Sequence, residues 1–165
     1  MVIFWTIIAV VVLALVMCAV VVRVNVAEVE GYELRLEEAM WSRRHKIPLL
    51  LEIAAREGVV SVPRLEMIDT LERASSRSAH LADKVALEKK LTGHLVELFK
   101  QGEKSSDTLF ISLREEVKKS LTEMKIALHD YNAAVTKWSA RMTLPWFRIF
   151  AFLSKNALRA RLEEL

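Results

Sequence analysis

Residues 1–22 read MVIFWTIIAVVVLALVMCAVVV, and this stretch decides how the rest of the chain is placed. It contains no charged residue, no proline and no glycine, and Arg23 is the first charged side chain. A helix of this length rises about 30 Å, which matches the hydrocarbon core of a bilayer. A soluble helix that is apolar on all sides would need burial in a large protein, and this chain has only 165 residues. We therefore predict a transmembrane anchor over residues 1–22, which contacts the lipid bilayer through residues 2–22.

The composition of the remaining chain favours long helices. Every charge follows the anchor, with 24 Lys and Arg and 21 Asp and Glu giving a net charge of +3. Such an even mixture is typical of solvated helix surfaces, and the excess of positive charge is too weak to predict nucleic-acid binding. Only four glycines and three prolines are present, which argues against turn-rich β folds. Cys18, the single cysteine, lies in the anchor and has no intramolecular disulfide partner.

The spacing of apolar residues predicts three long helices and a short fourth one. The first continues from the anchor to a C-cap at Gly58, with Pro48 as a kink or local adjustment. The second is predicted over about 63–100, the third over about 108–142 with Ser106 or Asp107 as N-cap, and the short one over about 146–162. The third helix carries the most regular stripe: Leu109, Leu113, Val117, Leu121, Met124, Leu128, Tyr131, Val135 and Trp138. The predicted fold is all-α, with an elongated antiparallel bundle over residues 23–165.

Patterns for catalysis or metal binding are absent from the sequence. His45, His80, His94 and His129 are far apart in sequence, and none has another His or Cys three or four residues away. Neither a glycine-rich phosphate loop nor a nucleophile elbow occurs. We therefore expect no enzymatic activity, no cofactor, no metal and no small-molecule substrate.

Two segments combine aromatic with basic residues. Residues 41–46 (WSRRHK) either contact acidic headgroups or an acidic partner, or form a solvated helix face. The solvated face is favoured, because a straight helix would hold the segment about 25–30 Å from the bilayer. Residues 146–153 (WFRIFAFL) either bind a membrane surface or close the end of the bundle core, and the core is slightly favoured. The membrane contacts would be Trp146, Phe147, Arg148 and Phe150.

The sequence around Tyr131 resembles the C-terminal signature of the LemA family. The matching residues are Tyr131, Asn132, Ala133, Ala134, Val135, Trp138, Met142, Leu144 and Pro145. Further similarities are Asn25, Ala39, Met40, Trp41, Arg43, Ile47, Pro48 and Leu50 in the first helix, and Phe110 and Leu113 in the third. Ser139 stands where the family has a second Asn, and Leu121 and Leu128 stand where it has Glu and Arg. The resemblance implies a bacterial protein with one N-terminal span, a helical bundle and no assigned enzymatic activity.

These observations together predict a single-pass protein of the bacterial cytoplasmic membrane that acts by binding. The N-terminus is expected outside and the bundle in the cytoplasm, because cations follow the span and none precedes it. We expect a protein partner or self-association, as a scaffold or as an accessory component of a membrane complex. A signalling or sensor adaptor and a membrane-surface remodelling module remain as alternatives. The residues expected to make structural or partner contacts are Trp41, Arg43, Arg44, Tyr131, Asn132 and Trp138.

Overall fold

The computed structural model describes residues 1–58, 64–76, 80–143 and 162. Over these residues the chain is helical and contains no strand, which confirms the predicted all-α fold. The elements are α1 (Val2–Arg56), α2 (Arg64–Ser75), α3 (Leu81–Gln101), a 3-10 turn (Gly102–Lys104) and α4 (Thr108–Arg141). The short helix predicted over about 146–162 lies almost entirely outside the described residues.

Helix α1 is a single helix of 55 residues, because nothing in its sequence interrupts the backbone ladder strongly enough to end it. It continues through Pro48, so the proline does not end the helix. The helix ends at Arg56, and Gly58 follows with a φ of 73°. A left-handed residue after a helix terminus favours glycine, which has no Cβ to clash. The C-cap predicted at Gly58 is confirmed.

The prediction of one long helix over about 63–100 is wrong. Helix α2 ends at Ser75, and α3 begins at Leu81 after His80, whose backbone is extended. The hydroxyl of Ser75 donates a hydrogen bond to the carbonyl oxygen of Leu71 at 2.8 Å. Serines compete for backbone hydrogen bonds in this way and are poor helix formers, so consecutive serines at 75 and 76 weaken the helix where the apolar pattern is also thin.

Helix α4 confirms the third predicted helix to within one residue at its end. One carboxylate oxygen of Asp107 accepts hydrogen bonds from the backbone N–H groups of Leu109 and Phe110, at 2.7 and 2.9 Å, which is N-cap geometry. The predicted stripe is largely buried from Leu113 onward. Its first member is an exception, because Leu109 is half exposed and Phe110 is fully buried instead.

The described helices belong to two compact units. Unit 1 combines Met1–Leu34 with Asp130–Arg161, and unit 2 combines Arg35–His129 with Leu162–Leu165. In unit 2, α2 packs against α3. The apolar core of unit 2 comprises Ile47, Leu50, Leu51, Ile53, Ala54, Met67, Leu91, Leu95, Leu98, Phe110, Leu113 and Val117. The buried apolar residues of unit 1 include Val22, Val29, Tyr131, Val135 and Trp138.

The N-terminal part of α1 carries apolar side chains that no other described residue covers. The side chains from residue 3 to residue 17 are all exposed, including Trp5, Val10 and Leu13. Among the described residues, α1 is the one helix long and apolar enough to cross a membrane. Transfer of such a surface out of water is strongly favourable, so this stretch of α1 is a candidate membrane span.

Candidate functional site

A cluster of charged side chains is buried inside unit 2. Arg43 and Arg44 are adjacent on α1, and both bind Glu88 of α3. Nη1 of Arg43 donates to one carboxylate oxygen of Glu88 at 2.8 Å, and Nε of Arg44 donates to the other at 2.5 Å. The side chains of Arg43 and Glu88 are fully buried, and that of Arg44 is 10% exposed. One carboxylate therefore holds two guanidinium groups away from water.

Thr92, one helical turn after Glu88, completes the arrangement. Nη2 of Arg43 donates to the Thr92 hydroxyl at 2.8 Å, and this hydroxyl donates to the backbone carbonyl oxygen of Glu88 at 2.7 Å. Residues four apart lie on the same face of a helix, so α3 presents the carboxylate and the hydroxyl together. The thioether of Met124, on α4, contacts Nη1 of Arg43. Arg43 thus ties α1 to both α3 and α4.

The charge of this cluster is only partly compensated. Burial lowers the pKa of the Arg43 guanidinium from its usual range, and the carboxylate of Glu88 opposes that shift. Nε of Arg43 is buried without a hydrogen-bond partner among the described residues. Removal of one member of a buried ion pair leaves an uncompensated charge, which is expensive. The cluster therefore requires Glu88 opposite Arg43 and Arg44, which fixes how α1 pairs with α3.

A cleft of about 780 Å³ lies beside this cluster, within unit 2. Helix α1 provides most of its lining, α2 contributes Leu71 and Ser75, and α3 contributes Lys84. The α1 residues are Glu37, Glu38, Met40, Trp41, Arg44, His45 and Pro48. The cleft is therefore bounded on one side by the partly accessible end of the buried charge cluster. Its volume is in the range of about 300–1,000 Å³ that is common for small-molecule sites.

The cleft presents an aromatic surface next to the paired charges of Lys84 and Arg44. Trp41 is 64% exposed, and its ring stacks on that of His45 with 5.4 Å between the ring centroids and 18° between the planes. Nζ of Lys84 donates to the Glu37 carboxylate at 2.7 Å. Such a lining suits a binding surface, with an apolar platform and oriented polar groups. Among the described residues, no group of three His, Cys, Asp or Glu is arranged to hold a metal ion.

Comparison with known proteins gives no family for this chain. No family model matches the sequence, and no curated protein matches it either. The resemblance to the LemA family therefore stays a prediction.

The structure brings together three of the residues predicted to matter. Trp41, Arg43 and Arg44 all lie at the cleft or at the cluster behind it. The prediction that residues 41–46 form a solvated face is wrong for Arg43 and Arg44, because Glu88 provides a buried counter-charge. It holds for Trp41 and His45, which are exposed.

The other predicted contact residues belong to unit 1. Tyr131, Asn132 and Trp138 are all buried on the C-terminal half of α4. Burial raises the pKa of the Tyr131 phenol above its ordinary value. The prediction of a core aromatic at Tyr131 is confirmed. Trp146, Phe147, Arg148 and Phe150, predicted to touch a membrane surface or the core, lie outside the described residues.

Glu88 is the residue of this candidate site that sequence reasoning missed. It occupies the buried stripe of α3 between Val85 and Leu91, at spacings of three on either side. An acidic residue at an apolar position was the available signal, because a charge on a core stripe needs a partner of opposite sign. The partners are 44 and 45 residues away in sequence, and nothing local points to them.

Proposed function

We propose that this protein is a single-pass membrane protein of a bacterial cytoplasmic membrane that acts by binding rather than by catalysis. Residues 1–22 anchor it, and the helical bundle recruits a protein partner as a scaffold or as an accessory component of a membrane complex. The exposed apolar stretch of α1 supports the anchor, since no other described residue covers it. The cations that follow the span support a cytoplasmic bundle. The resemblance to LemA proteins supports the same architecture.

Partner binding rests chiefly on one observation, the exposure of Trp41 beside the cleft. Tryptophan is enriched at the centres of protein interfaces, where a large aromatic surface is removed from water. Here the ring is 64% exposed and is held by its stacking on His45, so its position is set before a partner arrives. A preorganised anchor loses little conformational entropy on binding. We therefore place the partner-binding surface at the cleft of unit 2.

Site-specific photo-cross-linking in native membranes tests this proposal. A benzophenone amino acid replaces Trp41 in one variant of the full chain and Ile126 in a control variant. Ile126 is 58% exposed on α4, so it matches Trp41 in exposure but does not line the cleft. We expect a discrete product from position 41 and none from position 126. A heterologous product indicates an accessory subunit, and a ladder of self-products indicates a scaffold. Equal labelling from both positions would contradict the proposal.

A signalling adaptor is the second candidate, and the continuity of α1 favours it. Because α1 runs unbroken from Val2 to Arg56, a change at the anchor has a continuous helical route along the chain. Ala27→Pro would break that route, since an interior proline costs about 3 kcal/mol and kinks a helix. An adaptor would then keep its partner but lose the partner's response, whereas Ala27→Leu would preserve both. If the protein is a scaffold, the proline variant would still bind its partner and the partner's response would be unchanged.

A membrane-surface remodelling module depends on Trp146, Phe147, Arg148 and Phe150. Deletion of residues 146–162 in the full chain separates this alternative from a structural role of the segment. Loss of vesicle deformation with normal helix content would favour remodelling. Loss of helix content in residues 23–143 would instead favour a segment that closes the core.

A further inference from the structure

The burial pattern along α1 marks where the protein-covered part of the helix begins. Side chains from Ile3 to Val20 are exposed apart from the half-buried Cys18, Val21 is half-buried, and Val22 is the first that is fully buried. Asn25 and Val29 follow at spacings of three and four, so one face of α1 is covered from Val22 onward. Residues 3–20, of which only Cys18 is half-buried, extend over about 27 Å, close to the roughly 30 Å thickness of a hydrocarbon core. The boundary between lipid and protein contact thus lies close to Val22.

The C-terminal end of α4 lies at this same level of α1. A guanidinium N–H of Arg141 donates to the side-chain carbonyl of Asn25, and Nζ of Lys137 donates to Glu28 at 2.9 Å. From the first contact to the second, the residue number rises on α1 and falls on α4, so the two helices run antiparallel within unit 1. Asn25 is about 6 Å along the axis beyond Val21. Each polar layer of a bilayer is about 5–8 Å thick, so Arg141 lies at headgroup depth.

The charge of Arg141 is not neutralised by the contact that holds it. Asn25 is a neutral amide, and its own Nδ2 donates to the backbone carbonyl oxygen of Val21 at 2.5 Å. This second hydrogen bond orients the amide, so that its oxygen faces Arg141. Lys137, by contrast, is paired with the Glu28 carboxylate. Arg23, at the same depth, is exposed and has no ion pair among the described residues. Two guanidinium charges therefore remain available at the membrane boundary.

We propose that Arg141, held by Asn25, and Arg23 bind the phosphate groups of anionic phospholipids, so that the base of unit 1 recognises lipid headgroups. The inference rests on the proposed membrane anchor. Guanidinium groups suit this ligand, because their planar N–H donors match phosphate oxygens and attract its charge. The hydrophobic span alone does not distinguish anionic from zwitterionic lipid. The two arginines supply that preference.

Native mass spectrometry of the detergent-solubilised full chain tests the proposal. The chain is titrated with phosphatidylglycerol and, separately, with phosphatidylcholine, and the bound lipids are counted. We expect preferential retention of phosphatidylglycerol. Arg141→Gln and Arg23→Gln should each reduce that preference about fivefold, the factor expected for one basic residue at an anionic surface. Lys125→Gln is the matched control, because Lys125 is an exposed cation on the same helix and distant from Arg141.

The variants are chosen so that loss of folding does not imitate loss of binding. Glutamine at position 141 keeps an N–H donor for the Asn25 carbonyl, and circular dichroism checks that helix content is unchanged. Unaltered lipid preference in both Arg variants would overturn the proposal, as would equal retention of the two lipids by the unmodified chain. Displacement of bound phosphatidylglycerol by inorganic phosphate at the same concentration would also overturn the proposal, because the site would then select a free anion.

A separate measurement distinguishes failure of this inference from failure of the membrane anchor. Alkaline carbonate extracts peripheral proteins from vesicles and leaves proteins that span the bilayer in place. Release of the full chain by carbonate would refute the anchor and this inference with it. Retention in the pellet, together with unchanged lipid preference in the Arg variants, would refute the headgroup site alone.

Discussion

The two ends of α1 reverse the usual relation between side-chain chemistry and burial. Val10, near the start of the helix, is 66% exposed, whereas Arg43, near its end, is fully buried. Both positions lie on one unbroken helix, so backbone conformation does not cause the difference. The surroundings cause it: no other described residue covers Val10, whereas Arg43 has the Glu88 carboxylate. Whether a side chain on α1 is buried therefore depends on the groups that face it and not on its polarity alone.

Removal of the Glu88 charge should give the largest effect. Glu88→Gln keeps the size of the side chain but leaves Arg43 and Arg44 buried without a counter-charge. We expect a loss of about 3–5 kcal/mol in the free energy of unfolding, the cost of breaking a buried ion pair. Urea unfolding of the full chain in detergent micelles, followed by circular dichroism, measures this loss.

Two further variants identify the origin of that effect. Glu52→Gln is the matched control, because Glu52 pairs with Arg56 on the surface and its side chain is 62% exposed. We expect a change below about 0.5 kcal/mol there. Replacement of Arg43, Arg44 and Glu88 together by methionine should restore most of the stability lost in Glu88→Gln, since no charge then stays buried. Similar losses in Glu88→Gln and Glu52→Gln would show that burial does not matter at Glu88.

A lysine in the N-terminal stretch of α1 tests whether lipid surrounds that stretch. Val12 and Val24 are similarly exposed, at 52% and 61%, but Val12 lies in the middle of the predicted anchor, residues 1–22, and Val24 lies beyond it. Val12→Lys should disfavour membrane insertion by roughly 3 kcal/mol, the cost of a charge at the middle of a spanning helix. Val24→Lys should insert normally. Carbonate extraction of both variants from membranes gives the inserted fraction, and equal insertion would argue against lipid around Val12.

Local signals were sufficient to predict much of the fold. The bounds of α4 follow from the Asp107 N-cap and from apolar residues at steps of three and four, and both are properties of neighbouring residues. The end of α1 follows from the single glycine at position 58. The break between α2 and α3 was missed, because serines at 75 and 76 weaken a helix without excluding it, and apolar residues on both sides continued the pattern.

The candidate site was less accessible to sequence reasoning, because it depends on contacts between distant residues. The family resemblance points to Trp41 and Arg43, but the burial of Arg43 depends on Glu88, 45 residues later. A charged residue on a helix is solvated in most proteins, so the general expectation was wrong here. The cleft likewise depends on how α1, α2 and α3 pack, which apolar spacing does not specify.

Gly102 and Gly93 also differ in what surrounds them, and replacing them should change stability by a smaller amount. A Cβ at position 102 would overlap the Phe110 ring, whereas a Cβ at position 93 would meet nothing within 4 Å. Gly102→Ala should therefore destabilise the fold by about 1–3 kcal/mol, the usual cost of overpacking. Gly93→Ala should stabilise it by up to about 1 kcal/mol, because alanine favours the interior of α3. Urea unfolding distinguishes them by sign, and the same sign for both would contradict the packing at Phe110.

The smallest expected effect concerns Tyr131, where burial acts on a neutral group. Because burial raises the phenol pKa in the folded state, the unfolded chain ionises first as the pH rises above about 10. The stabilising contribution of the neutral phenol is therefore complete below that pH and declines above it, by less than about 1.4 kcal/mol one pH unit higher. Tyr131→Phe should remove this part of the alkaline decline and leave stability at neutral pH nearly unchanged. Urea unfolding of the unmodified and Tyr131→Phe proteins at about pH 9 and about pH 11, one unit below and above the ordinary phenol pKa, measures the difference. A parallel decline in the two proteins would mean that the Tyr131 phenol ionises in the fold as readily as in the unfolded chain, and that its burial does not govern its titration.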